Sequence, residues 1–277
     1  MSISVLVLTL DEERNLGRCL EALRWCDDVV VLDSFSADAT EAIAKGYGVR
    51  FEQRRFDHYA GQRNFGLNGI PYRNPWVLMV DADEVVTPPL VAEMRTAVAA
   101  AASDTVLYRL RRKDFFLGRW IKRSSGYPTW FGRLARVGRV RVEREVNEEY
   151  IADGQVGLLQ EHLQHYPFNK GFAAWIDKHN RYSTMEAQAL LGQAPLARFR
   201  WRDLFSRDPA ERRASLKALL YALPGRPLLV FAYLYLVRGG FLDGRAGLVF
   251  SLLRSGYEFL IDCKVLEGRL KARSLPL

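Results

Sequence analysis

Residues 76–84 read WVLMVDADE, where five apolar residues from Trp76 to Val80 run straight into Asp81, Asp83 and Glu84. An unbroken apolar run of this length suits a strand covered on both faces, as in a parallel sheet. Pro88 and Pro89, just beyond, suit the first turn of a helix. Acids at a strand exit can mark no more than its emergence into solvent, so the fragment has to be read against the rest of the chain.

Two more apolar runs end in the same way. SISVLVLTL leads into TLDEE at 9–13, and DVVVLD leads into DSFSADAT at 33–40. Strands are expected at 3–9, 28–33, 49–53, 76–81 and 105–111. Leu16, Cys19, Leu20 and Leu23 carry the i, i+3, i+4, i+7 spacing of a buried helix face between the first two. This alternation is βαβ grammar and implies a mainly parallel α/β sheet, in which ligands bind beyond the carboxyl ends of the strands. Three such ends carry polar clusters, and an Asp-x-Asp pair there can hold a divalent cation through hard oxygens while leaving positions for a diphosphate.

The chain has 277 residues, 49% hydrophobic and 26% charged, which is globular composition without low-complexity runs. Cys19, Cys26 and Cys263 have no metal-type spacing and read as buried thiols of a reducing compartment. The N-terminus lacks a basic flank and a cleavage site, so no signal peptide is expected. The net charge of +8 is unevenly divided: residues 1–105 hold 10 Lys/Arg against 16 Asp/Glu, residues 106–277 hold 30 against 16. The basic part points to an anionic partner, with nucleic acid and acidic membrane both fitting on charge alone.

Three regions follow: a βαβ half at 1–105, a basic and aromatic part at 106–168, and a helical, basic region at 169–277. Within the second, Val137 and Gly138 suggest a hairpin tip between two alternating strands. In the third, 169–191 and 208–222 have mixed polar and apolar faces. The runs LLVFAYLYLV and AGLVFSLL, separated by RGGFLDGR, are far shorter than the roughly 20 residues of a membrane span. They suit helices of a soluble core, a homodimer contact, or segments lying in a membrane interface.

VLVLTLDEERNLGRCLEAL, VVVLDSFSADATEAIA, GQRNFGL and WVLMVDADE, in that order, resemble the donor half of family-2 glycosyltransferases of the GT-A fold. FFLGRWI, RLARVG, VNEEY, LQHYPF and RGGFLDGRAGL extend the likeness to the bacterial lipopolysaccharide core β-1,4-glucosyltransferases. The resemblance implies a Rossmann-like, mainly parallel sheet and an inverting, metal-dependent transfer of a hexose, glucose from UDP-glucose, onto a lipid-linked saccharide such as the lipopolysaccharide inner core. The enzyme would work as a peripheral protein on the cytoplasmic face of the membrane.

By the same resemblance Thr9, Glu13, Asp33, Arg63, Asp81 and Asp83 bind the donor. Asp83 and His165 hold Mn²⁺ or Mg²⁺, with His162 the alternative to His165. Glu84 shapes the loop. Glu143, Glu145, Glu148 and Glu149 compete for general base; the match of VNEEY selects Glu148, followed by Glu149. His58 and His179 have no partner at ligand spacing and read as structural. Arg111, Arg112, Lys113, Arg119, Lys122 and Arg123 would meet acceptor phosphates or anionic headgroups. A nucleotidyltransferase is the first rival reading, although TLDEER is acidic where a triphosphate-holding loop would be Gly-rich and basic. A nucleic-acid-binding protein is the second, although the aromatic residues form no RNA-binding signature.

Overall fold

The computed structural model describes residues 2–143, 149–192, 200–206, 212, 215, 219, 223 and 225–276. They form two compact units, Met1–Trp120 with Tyr127–Lys170, and Ile121–Gly126 with Gly171–Leu277.

In the first unit the Val-rich segments become β1 (Ile3–Thr9), β2 (Val29–Asp33), β3 (Arg50–Gln53) and β4 (Trp76–Asp81). Helices α1 (Leu16–Glu21), α2 (Thr40–Gly46) and α3 (Tyr59–Asn68) connect them. β1, β2 and β4 are almost wholly buried because helices cover the sheet, and their side chains divide between two cores. The order is β3-β2-β1-β4, all parallel, with Thr9 opposite Asp33 and Leu8 opposite Asp81. The order of the strands across the sheet reverses between β1 and β4, so the switch point, where such sheets bind ligands, falls between the loops after Thr9 and Asp81.

The sheet continues through β5 (Glu84–Val86), α4 (Pro88–Ala99), β6 (Thr105–Phe116), β7 (Arg119–Trp120), β8 (Trp130–Arg136) and β11 (Gln155–His165). After β4 come β8, β6, β11 and β5, with β7 paired to β6. β8 is antiparallel to β4 and β6, β11 runs parallel to β6, and β5 is antiparallel to β11. The mainly parallel donor-side sheet expected from the apolar runs is therefore present. The hairpin expected at Val137–Gly138 is not: the chain turns there with Arg139 N donating to Arg136 O, but β9 (Val140–Glu143) pairs with β10 (Glu149–Ala152) rather than β8. Two asparagines on α3 fix β9 instead, because Asn64 exchanges two hydrogen bonds with the Val142 backbone and Asn68 donates to Val140 O. α3 also lies close on β1, since a Cβ at Gly66 would overlap Leu6.

The second unit contains α5 (Gly171–Gly192), a 3₁₀ turn at Trp201–Phe205, α6 (Arg226–Ala232) continuing as a π turn through Val237, a 3₁₀ turn at Gly240–Asp243, and α7 (Gly244–Ala272). Most of the 208–222 segment expected to be helical lies outside the described residues. Among the described residues no helix is long and apolar enough to cross a membrane. The cysteines depart from expectation: Cys19 is buried, Cys26 only partly so, and Cys263 is exposed.

His179 is structural, as expected. Its ring stacks on Trp175 at 3.6 Å and meets Tyr257 edge-on, while Nδ1 donates to Trp175 O. Burial pushes its pKa down to about 4. The unfolded chain, with a histidine pKa near 6.5, takes up a proton that the folded one refuses. The resulting stability is present above pH 6.5 and lost as pH falls toward 4. His179→Phe should flatten this fall, worth about 1 kcal/mol at pH 5 after allowing for partial exposure. Urea midpoints at pH 7 and pH 5 measure it, and an equal drop in both proteins would refute the assignment.

Candidate active site

Three strands bring the acidic edge together. Glu84 on β5 lies opposite His165 on β11, which lies opposite Asp114 on β6. Asp83 precedes this row and is held in it by Tyr166 N, which donates to Asp83 O. The His165 ring therefore stands between two carboxylates, with Nδ1 2.6 Å from Asp114 Oδ1 and Nε2 3.3 Å from Asp83 Oδ2. Burial and Arg112 lower its pKa, but Asp83 and Asp114 prevail and raise it to about 9. The alternative ligand His162 is an odd number of residues away on β11 and sits beside Glu161, away from Asp83.

Arginines bind the next row. Asp81 Oδ2 accepts from Arg133 Nη2 at 2.7 Å and Oδ1 from Arg63 Nη2 at 3.3 Å. Burial opposes the charge on Asp81, yet Arg133 and Arg63 hold its carboxyl well below the usual range. Glu84 accepts from Arg133 at 2.9 Å and from the Asp81 backbone N–H at 3.0 Å. Burial pushes Glu84 up despite Arg133, with the neighbouring Asp81 charge adding to the rise. Glu84 thus closes the turn of the Asp-x-Asp loop, as the sequence reading had it.

Arg133 reaches both acids because of a bulge. Tyr108 pairs with Leu134 and Arg109 with Gly132, so Arg133 is the extra residue on β8, and the break in alternation turns its side chain toward Asp81. The RLARVG stretch contained this residue, but a period-2 reading could not show where it would point. Asp114 was likewise hidden in the basic run RLRRKD. Arg112, expected to meet acceptor phosphates or headgroups, is instead turned inward, 3.2 Å from Asp114 and 3.5 Å from Glu84. Arg111 lies against Trp130 and Lys113 over Trp120, whereas Arg119, Lys122 and Arg123 are exposed.

The nucleotide-side candidates are arranged as a lining with few open contacts. Asp33 ends β2 but is fully buried: Thr9 Oγ1 and Ser36 Oγ donate to Oδ1, while Ser36 N and Gln53 Nε2 donate to Oδ2. A ligand hydroxyl would have to displace donors of the chain's own to reach this buried carboxylate. Arg63 is also buried, behind Asp81, with Nη1 on Met79 Sδ. Glu13 is exposed, and its carboxylate accepts from Ala39 N. Its neighbour Glu12 is the acid nearer Asp83: Lys170 Nζ contacts it at 2.6 Å, and burial raises its pKa. Glu148 lies outside the described residues.

Among the described residues no group of three or more His, Cys, Asp or Glu side chains is arranged to hold a metal ion. The Asp83–His165 pair nevertheless fits part of such a site. Two cis ligands about 2.1 Å from an octahedral cation stand about 3 Å apart, close to the 3.3 Å between Asp83 Oδ2 and His165 Nε2. The remaining positions would fall to diphosphate oxygens and water.

Residues 4–160 match glycosyl transferase family 2. The chain belongs to that family. Similar proteins include the lipopolysaccharide core biosynthesis glycosyltransferase LpsC of Rhizobium meliloti (strain 1021), 27% identical over 99% of this chain and 95% of that one. An uncharacterized glycosyltransferase of Rickettsia bellii (strain RML369-C) is 30% identical over 69% of this chain and 68% of its own. The crystal structure of S. aureus TarS 1-349 aligns over 94% of this chain and 91% of that chain, at 15% identity and a TM-score of 0.44. Membership makes this family-2 chain a glycosyltransferase and decides against the nucleotidyltransferase and nucleic-acid-binding readings.

Proposed function

We propose that this glycosyltransferase moves a hexose, glucose from UDP-glucose, with inversion onto a lipid-linked saccharide of the lipopolysaccharide inner core, at the cytoplasmic face of the membrane. The acceptor class rests on the full-length likeness to LpsC, whose name places that protein in lipopolysaccharide core biosynthesis. The observation that carries the chemistry is the convergence of Asp83 and His165 at the switch-point edge, beside the anionic Asp81. A bound Mn²⁺ or Mg²⁺ would neutralise charge on the departing diphosphate. Asp83 and His165 would hold that cation, with Asp114 orienting the imidazole through Nδ1. Asp81, kept ionised by Arg133 and Arg63, would accept from a donor hydroxyl.

Inversion needs one displacement: the acceptor oxygen bonds to the anomeric carbon, the bond to the diphosphate oxygen breaks, and a base removes the hydroxyl proton. Glu148 is our candidate base. Of the flanking strands, β9 is secured to α3 through Asn64 and Asn68 and pairs with β10, and the Tyr150 ring lies against Gly132, next to Arg133. Glu148→Gln should lower turnover about 10²-fold with donor affinity unchanged. If Glu149→Gln is the inactive variant instead, the base is the neighbouring residue; if neither matters, the base lies elsewhere.

Nucleotide release from a panel of nucleotide sugars, with Mn²⁺, Mg²⁺ or chelator, tests the whole reading. UDP-glucose turnover that requires a cation is expected. Turnover of another nucleotide sugar alone would refute the donor, and turnover in chelator would refute the cation.

A further inference from the structure

In the second unit, the helix from Arg226 through Val237 is built inside out. Leu229, Tyr233, Leu236 and Val237 recur at i, i+4, i+7 and i+8, the spacing of a face that ordinarily turns to the core. Here they face solvent, with Leu236 60% and Val237 74% exposed, and Leu228 beside them is 74% exposed. The inward side instead carries a charge: Arg226, 2% exposed, reaches Glu258 at 3.2 Å and Asp262 at 2.9 Å on α7. Gly239, at φ +74°, then turns the chain so that Phe241 and Leu242 are also exposed.

Within residues 225–257 the exposed charges are positive. Asp243 is the sole acid between residues 225 and 257, and its Oδ2 is buried, accepting from Arg123 N, Ser124 N and Ser124 Oγ. Arg238 and Arg245 flank the apolar residues, and Arg245 is exposed. An apolar strip edged by positive charge, whose own acid is buried and whose neighbour Asp262 is paired with Arg226, complements an anionic lipid surface, where insertion and headgroup attraction add. A second copy of the face would bring like charges together. The chain's own 193–224 segment is itself net basic.

We infer that Leu228, Leu229, Leu236, Val237, Phe241 and Leu242 insert into the headgroup–acyl boundary of an anionic bilayer. Of the core, dimer and interface readings that composition left open, this inference takes the membrane interface. It does not depend on the donor or the cation, so it stands or falls separately from the transfer reaction.

Sedimentation of the full chain with vesicles of phosphatidylcholine alone, or of equal parts phosphatidylcholine and phosphatidylglycerol, decides it. Partitioning onto the anionic vesicles is expected to be at least about tenfold the stronger. The double variant Leu236→Ser with Val237→Ser replaces only exposed side chains and should reduce partitioning about tenfold or more with an unchanged circular dichroism spectrum and unfolding midpoint. Arg245→Glu should lower the anionic preference about fivefold or more. Equal partitioning onto both vesicles overturns the inference. So does a double variant that binds lipid as before, or one that loses fold or dimerisation instead of lipid, because the face would then be covered by this chain or a second copy.

Discussion

Replacing Arg133 with methionine should lower unfolding stability by about 3–5 kcal/mol, the cost of removing one partner from a buried ion cluster. Arg133 is 4% exposed and Glu84 fully buried, and one guanidinium nitrogen serves both Asp81 and Glu84. Methionine fills much of the volume, so the loss is electrostatic rather than a cavity. Arg63 and Arg112 remain within 3.3 Å of Asp81 and 3.5 Å of Glu84, which sets the expectation at the low end of the range. The deficit should shrink on acidification. Without Arg133, folded Glu84 and Asp81 hold protons more tightly than in the unfolded chain, so the variant gains relative stability as pH falls. Adding Glu84→Gln to Arg133→Met removes the stranded charge and should recover a large part of the loss, a coupling that a double-mutant cycle isolates. Urea unfolding followed by fluorescence measures all three variants. A loss below about 1 kcal/mol would mean that the guanidinium compensates no buried charge.

The framework around this cluster was readable because it is local. The apolar runs at β1, β2 and β4 have the composition of strands buried on both faces, and Thr9, Asp33 and Asp81 end them where the chain emerges. What was not readable depends on pairing across long separations. Asp114 meets His165 51 residues away, through a parallel register that no periodicity encodes. Arg133 is aimed by a bulge, and one extra residue reverses the face that alternation would assign to it. Val137–Gly138 has good turn chemistry, but β9 finds its partner in β10 and its anchor in Asn64. The second unit shows the same limit. LLVFAYLYLV has the composition of a core helix, and only the pairing of Arg226 with Glu258 and Asp262 on α7 shows which side faces in.

Asp83→Asn should reduce cation-dependent transfer by about 10³-fold or more while leaving the fold intact, since a Lewis-acid cation is worth several kcal/mol of charge stabilisation. The two effects separate because of where Asp83 stands. It follows the end of β4, its side chain is partly exposed, and its backbone is tied to Tyr166 by its own carbonyl rather than by the carboxylate. Asparagine keeps the shape but offers a neutral, weakly ligating oxygen, so the loss should appear first in Mn²⁺ affinity. His165→Ala should be milder, because a water can occupy the position the imidazole leaves. The decisive measurement is UDP titration with and without Mn²⁺: wild type should bind more tightly with the cation, and Asp83→Asn should bind equally with or without it. Should the variant keep both the Mn²⁺ dependence of UDP binding and normal turnover, Asp83 is no ligand, and its 3.3 Å approach to His165 is an ion pair that helps hold β5, β6 and β11 in register. In that case Asp83→Asn would instead lower the unfolding midpoint, which the same protein preparation can report.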